Sequence, residues 1–234
     1  MGRRYLVTAR RLNITCVIFD WDETLLNSIA VRRAVLRDVL DTAQVQASAV
    51  EILGSLGGTS LEGYLDDFEV RLGRTPSLYK AYRKAYWFKE HKGIALYPGI
   101  LEMLTTLRNR QISIGLVTQK ISHLNIEGRV VGVMDELKEL GIHQLFGAVV
   151  GYDDVVNPKP HPEPVQLALK QLKALPENTL FVGDSRADIQ SGKAAGCATA
   201  HAIWDTQEKD LATIGADFVV KRAEQVLDIV SGRL

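Results

Sequence analysis

Six short apolar runs, rich in β-branched residues, recur along this chain: Thr15–Phe19, Ile112–Val117, Phe146–Val150, Leu180–Val182, Thr199–Ile203 and Phe218–Val220. Runs of this length, set off by turn-forming residues, read as buried strands. Most intervals between them carry apolar residues at helical spacing: Ile100, Leu104 and Leu107, then Val130, Val133, Met134, Leu137 and Leu140, then Val165, Leu167, Leu169 and Leu172. Strands alternating with crossover helices predict an α/β fold built on a doubly wound parallel sheet.

The interval from about Ser28 to Ala95 breaks that rhythm. It holds no convincing strand and reads as successive helices, including Val31-Val35-Val39 and Leu78-Tyr82-Tyr86. The pattern predicts an inserted helical cap at 28–95 and a catalytic core formed by 1–27 and 96–234. Within the insert, Gly54, Gly57 and Gly58 precede Thr59-x-x-Glu62, a capping-box pattern that would start a new helix. Tyr97-Pro98-Gly99 marks the return to the core, because Pro98 restricts the chain just before the next helix.

Composition narrows the classes. With 234 residues, 46% hydrophobic and 24% charged, the chain can bury a full core. Lys+Arg and Asp+Glu both number 28, so no global field draws the protein to nucleic acid or an anionic membrane. Cys16 lies in an apolar run and Cys197 follows Ala195-Gly196; both read as small buried residues in a reducing cytoplasm, not as a disulfide framework. The basic start MGRRYLVTARRLN lacks an apolar h-region, and no run is long enough to span a bilayer. A cytoplasmic monomer or homodimer is expected.

The chemistry gathers where the strands end. Phe19–Leu26, FDWDETLL, places Asp20 and Asp22 straight after a buried run, where like charges repel and desolvation is costly. In an open α/β sheet the ligand site forms outside the carboxyl ends of the strands. There the chain also offers Thr118-Gln119-Lys120, Lys159 within NPKPHPEP, and Gly183-Asp184-Ser185-Arg186-Ala187-Asp188. Clustered carboxylates are tolerable around a hard divalent cation, and Mg²⁺ commonly bridges one or two carboxylates to a phosphate. Thr118 and Lys159 then suit the oxygens of a phosphoryl group. An EF-hand is disfavoured, since the loop lacks its Gly and terminal Glu, and a glycosidase pair would leave Thr118 and Lys159 unexplained.

Taken in order, Asp20-Trp21-Asp22-Glu23-Thr24, Thr118, Lys159 and Gly183–Asp188 resemble the four motifs of the haloacid dehalogenase superfamily. The insert is placed as in its phosphoglycolate phosphatase and β-phosphoglucomutase relatives. The resemblance, over about residues 14–205, implies a Rossmann-like core, a helical cap, Mg²⁺ and an aspartyl-phosphate intermediate. It implies Asp20 as nucleophile, Asp22 as general acid/base, and Thr118, Gln119 and Lys159 as binders of the substrate phosphate. Asp20, Asp22 and Asp184 would form the metal site, supported by Thr24 and Asp188. The expected activity is hydrolysis of a small phosphorylated metabolite; a phosphomutase, or a non-catalytic phosphate-binding protein, remains an alternative.

Two departures from the pattern carry expectations of their own. Glu23 stands where relatives usually have Gly, so a positive φ there would strain it. Lys120–Arg129, KISHLNIEGR, is several residues longer than the family needs and is expected to be a surface loop, although Lys120, His123 or Arg129 would overhang the site if it folded inward. In the cap, Arg71, Arg74, Lys80 and Arg83 are the cations available to a substrate anion.

Overall fold

The computed structural model describes residues 13–56, 60–88, 93–204 and 214–234. The chain runs β1 (Cys16–Phe19), β2 (Leu26–Asn27), α1 (Ile29–Thr42), α2 (Ala49–Ser55), α3 (Leu61–Arg71), α4 (Leu78–Phe88) and β3 (Ala95–Leu96). It continues through α5 (Ile100–Asn109), β4 (Ser113–Val117), β5 (Leu124–Ile126), β6 (Arg129–Val131), α6 (Val133–Glu139), β7 (Ala148–Val150) and α7 (Glu163–Leu172). The last elements are β8 (Thr179–Gly183), α8 (Arg186–Ala194), β9 (Ala198–Ala202), β10 (Phe218–Val220) and α9 (Glu224–Val230). No helix among the described residues is long and apolar enough to cross a membrane.

A six-stranded sheet in the order β10-β9-β8-β1-β4-β7, with every pairing parallel, forms the frame. Its order reverses on either side of β1, the switch point at which such sheets place their ligands. Burial on both faces explains the unbroken apolar runs: Val17 and Phe19 of β1 pack into one core cluster, Cys16 and Ile18 into the other. Each fully buried side chain of this kind contributes about 1.5–3 kcal/mol. Cys16 and Cys197 are buried and unbonded, and burial pushes their thiols up to about 11 and about 12. Phe19 lies in register with Leu116 on one side and Val182 on the other, so the residues following β1, β4 and β8 emerge at one sheet edge.

Helices α1 to α4 form the insertion. Val35, Leu36, Val39 and Leu40 of α1, with Leu78, Tyr82 and Tyr86 of α4, pack a separate apolar cluster. Both connections to it run side by side, since Leu26–Asn27 pairs antiparallel with Ala95–Leu96. These two short strands went unread in the sequence because two-residue segments carry no periodicity. Thr59, the proposed cap residue, lies outside the described residues; α3 begins after Ser60.

The 120–129 segment is not a surface loop. It forms the antiparallel hairpin β5–β6, and Ile121, Leu124, Ile126 and Val131 join the apolar cluster of the insertion. Val130, expected on a helix, is an exposed strand residue, and α6 starts at Val133 behind Gly132. A substituent on Gly132 would overlap the Ser122 carbonyl, so hairpin and helix meet through a position that admits no side chain.

Candidate active site

Three strand ends and one loop converge. Asp20 follows β1, Thr118 follows β4, Asp184 follows β8, and Lys159 reaches in from the loop before α7. Asp20, Thr118, Lys159 and Asp188 are all buried. The Lys159 ammonium donates to Asp20 Oδ1 at 2.6 Å, to Asp188 Oδ1 at 2.6 Å and to the Val117 carbonyl at 3.2 Å. All three of its N–H groups are therefore used, and it ties two carboxylates together. Gln119 Nε2 donates to the Lys159 carbonyl at 3.0 Å, which fixes that loop to β4. Thr118 Oγ1 accepts from the Lys120 amide at 3.0 Å, leaving its hydroxyl hydrogen for another acceptor.

Ser185 caps α8 in a reciprocal box with Asp188, whose Oδ2 accepts from both the amide and the hydroxyl of Ser185. Gly183 makes room for this arrangement, because a Cβ there would overlap the Asp188 side chain. Thr24 Oγ1 lies 3.4 Å from Asp184 Oδ1, and the Thr24 carbonyl accepts from Trp204 Nε1 at 2.8 Å. The buried imidazole of His201 contacts the Asp184 carbonyl at 2.9 Å.

Asp20, Asp184 and Asp188 each present an oxygen within 4.8 Å of the others. Burial, opposed by Lys159 and reinforced by Asp188 and Asp22, pushes Asp20 up to about 7. Burial, together with Asp20 and Asp188, raises Asp184 well above the usual carboxylate range. When all three ionise, the Lys159 ammonium among them leaves two negative charges uncompensated, the charge of one divalent cation. A hard oxygen-only donor set with that deficit fits Mg²⁺. Asp188 already has both oxygens hydrogen-bonded, so Asp20 and Asp184 are the better-placed donors.

Asp22, expected among the metal ligands, keeps its carboxylate out of this cluster. Its Oδ1 lies 2.5 Å from the Ser28 hydroxyl and 3.0 Å from Lys120 Nζ. Burial raises its pKa, but Lys120 and Arg32, with Ser28, outweigh burial and hold the carboxyl below its usual range. Glu23 does adopt the left-handed conformation, with φ at 63°. Its side chain accepts from the Ser28 amide at 3.2 Å and from the Tyr97 hydroxyl at 2.8 Å, linking the entry to the insertion with the exit from it.

A second buried node is Glu136, 1% exposed. It accepts from Trp21 Nε1 at 2.6 Å, from the Tyr86 hydroxyl at 2.6 Å and from Lys120 Nζ at 2.8 and 2.9 Å. One carboxylate thus holds the residue between Asp20 and Asp22, a cap helix and Lys120. Sequence reasoning missed Glu136, which sits in the helical pattern as an ordinary polar position. Lys120 was visible directly after Thr118, but its inward direction was not. Of the cap cations, Arg71, Arg74 and Lys80 are exposed, whereas Arg83 lines the cavity between cap and core together with Arg32.

This combination of parallel sheet, helical insertion and acid cluster at the β1 switch point defines a phosphatase-type hydrolase. A sequence profile described as haloacid dehalogenase-like hydrolase matches residues 17–202, and the chain belongs to that family. It is 30% identical over 221 residues to a pyrophosphatase PpaX of Oceanobacillus iheyensis, covering 94% of this chain and 98% of the relative. It is 42% identical over 120 residues to a phosphoglycolate phosphatase of Salmonella typhimurium, covering 51% of this chain and 44% of the relative. A haloacid dehalogenase-like family protein from Streptococcus pneumoniae shares the fold with a TM-score of 0.72 at 22% identity, over 92% of this chain and 97% of that one. The chain falls in the branch of the family that holds these phosphatase relatives.

Proposed function

We propose that the protein is a Mg²⁺-dependent phosphatase that hydrolyses a small phosphorylated metabolite through a phosphoryl group carried on Asp20. The observation that carries this reading is the buried cluster of Asp20, Asp184 and Asp188 around Lys159, whose uncompensated charge matches one divalent cation. Its position at the sheet's switch point, facing a helical cap, supports the same reading, as do relatives that carry the names of pyrophosphatase and phosphoglycolate phosphatase.

In this reading a carboxylate oxygen of Asp20 attacks phosphorus and the bond to the leaving oxygen breaks, giving an acyl phosphate. Asp22 delivers a proton to that leaving oxygen, then removes one from the water that attacks the same phosphorus and restores Asp20. Lys120 and Arg32 favour the ionised form of Asp22, the form required for the water step; the proton it delivers in the first step is taken up from solvent as the anionic substrate enters beside it. Thr118 has a hydroxyl hydrogen for a phosphoryl oxygen, while Gln119 and Lys159 fix the loop and carry the positive charge beside it. Thr24 and Asp188 position Asp184 and Lys159. Asp20 and Asp184 would hold Mg²⁺, and the chemistry it would supply there is charge neutralisation and Lewis-acid polarisation of a phosphoryl oxygen.

The division into a core of 1–27 with 96–234 and a cap of 28–95 is supported by the paired connections at Leu26–Asn27 and Ala95–Leu96. The hairpin at 124–131 then counts physically with the cap. Buried thiols whose pKa values burial raises suit a cytoplasmic protein. A panel of phosphoglycolate, pyrophosphate, sugar phosphates and nucleotides, with and without Mg²⁺, tests the reading. Phosphate release that requires Mg²⁺ supports it; bound but intact substrates across the panel contradict it, and an isomerised phosphate product would make the protein a mutase.

A further inference from the structure

Between cap and core lies a cavity of about 80 Å³. On its core side are Asp22 and Lys120, and on its cap side are Arg32 from α1 and Tyr79, Tyr82 and Arg83 from α4. It therefore begins at the residue proposed to protonate the leaving group and extends away from the metal cluster. The charges along it are unequally satisfied. Lys120 is held by Asp22 and Glu136. Arg32 faces Asp22 and Glu23 and bonds Tyr82. Arg83 is different: its guanidinium lies 5.1 Å over the Tyr79 ring, and among the described residues its buried Nε has no hydrogen-bond partner and no ion pair reaches it.

A buried donor without a partner costs about 1–3 kcal/mol, more when charged, so such a group in a cavity wall points to a missing acceptor. The guanidinium is a planar fork suited to two oxygens of one anion. The Tyr79 ring lies 5.1 Å from the guanidinium carbon and offers it no oxygen acceptor within that contact. Size adds a limit. At about 10–15 Å³ per water-sized site, the cavity has room for on the order of five to eight non-hydrogen atoms. A carboxylate on a short carbon chain fits, and so does a phosphoryl group.

Resting on the phosphatase reading, we propose that Arg83 and Arg32 form a subsite for a second anionic group, a carboxylate or a phosphoryl, borne by a small leaving group. Arg83 grips that anion in the plane of its fork, and Arg32 supplies charge from the opposite helix. Lys120 bounds the subsite on the core side. Both arginines are specificity-determining residues: they touch the part of the substrate that departs, not the phosphoryl group transferred to Asp20.

The test compares phosphoglycolate and pyrophosphate with 2-hydroxyethyl phosphate, which replaces the carboxylate of phosphoglycolate by a neutral hydroxymethyl group. In the unaltered protein kcat/KM should be higher for at least one of the two anionic substrates than for the neutral one. Arg83→Met should lower that preference about 10- to 150-fold, the factor carried by a hydrogen bond to a charged group, mainly through KM. Arg83→Lys should recover only part of it, because an ammonium keeps the charge without the fork. The same comparison by calorimetric binding to Asp20→Asn needs no turnover. Discrimination in that binding, with no phosphate release by the unaltered protein, would leave the subsite standing and remove the phosphatase reading. Turnover without discrimination, or an undiminished preference in a folded Arg83→Met protein, would overturn the subsite. Preference for phosphoglycolate assigns a carboxylate, and preference for pyrophosphate a phosphoryl.

Discussion

Replacing Glu136 with alanine should both destabilise the protein and disorganise its catalytic loop, although Glu136 is not among the expected catalytic residues. The mutation removes the acceptor of Trp21 Nε1, the Tyr86 hydroxyl and the Lys120 ammonium, all in a buried setting. Lys120 keeps Asp22 as a partner, so the cost falls chiefly on the two neutral donors and on the broken pair. Each orphaned donor costs about 1–3 kcal/mol, and losing one side of a buried ion pair about 3–5 kcal/mol. These overlap, so a total of about 3–5 kcal/mol is expected. For a chain of this size that is a fall in Tm of roughly 6–20 °C, readable by urea titration and by thermal melting. Glu136→Gln, which keeps one acceptor oxygen, should lose about half as much. Because Trp21 separates Asp20 from Asp22, kcat should fall in both variants even at temperatures where they are fully folded. A loss below about 1 kcal/mol in Glu136→Ala, with kcat unchanged, would refute the view that this carboxylate organises loop and cap together.

Lys159→Ala should abolish turnover and destabilise the metal-free protein by about 3–5 kcal/mol, because Asp20 and Asp188 then face each other unpaired; added Mg²⁺ should restore part of the Tm, and a Tm indifferent to both would contradict the cluster's role. The raised pKa values of Asp20 and Asp184 mean that the folded protein holds protons the unfolded chain has released, so metal-free stability should fall as pH rises from about 4 through about 7; urea midpoints at pH 5.5 and 8 would measure it, and saturating Mg²⁺ should narrow the difference. Glu23→Gly relieves a left-handed backbone worth about 1–2 kcal/mol but removes the bonds to Ser28 and Tyr97; Tm should shift by only a few degrees while kcat falls, and a large Tm loss would show that the hinge bonds outweigh the strain.

Much of the frame was legible because burial on both faces forces unbroken apolar runs, and all six sheet strands fall on the runs that Thr15–Phe19 and its counterparts announced. The positions of Asp20, Thr118, Lys159 and Asp184 followed from the rule that ligands gather at strand ends. The direction of side chains was not legible. Asp22 lies two residues from Asp20 yet turns toward Ser28 and Lys120, and only the fold brings Lys120 there. The β5–β6 hairpin escaped because its strands are three residues long and its apolar residues serve the cap, a partner remote in sequence. Glu136 sits at an unremarkable polar position of a helix, and its importance arises from partners 16, 50 and 115 residues away; Arg83 was legible as one of four cap cations, but only the fold sets it in the cavity wall while Arg71, Arg74 and Lys80 face solvent.

The claim at the centre of this account is that Asp20 carries the phosphoryl group, and acid-quenched mass spectrometry tests it directly. Asp22→Asn loses the base that activates water, a function worth about 10² to 10⁴ in rate, so the covalent intermediate should accumulate when this variant is mixed with Mg²⁺ and an aryl phosphate, whose leaving group needs little protonation. The peptide containing Asp20 should gain the mass of one phosphoryl group, fragmentation should place it on Asp20, and Asp20→Asn should show none. An adduct on any other residue, or none on Asp20 in a variant that still releases the aryl alcohol from its phosphate, would contradict it.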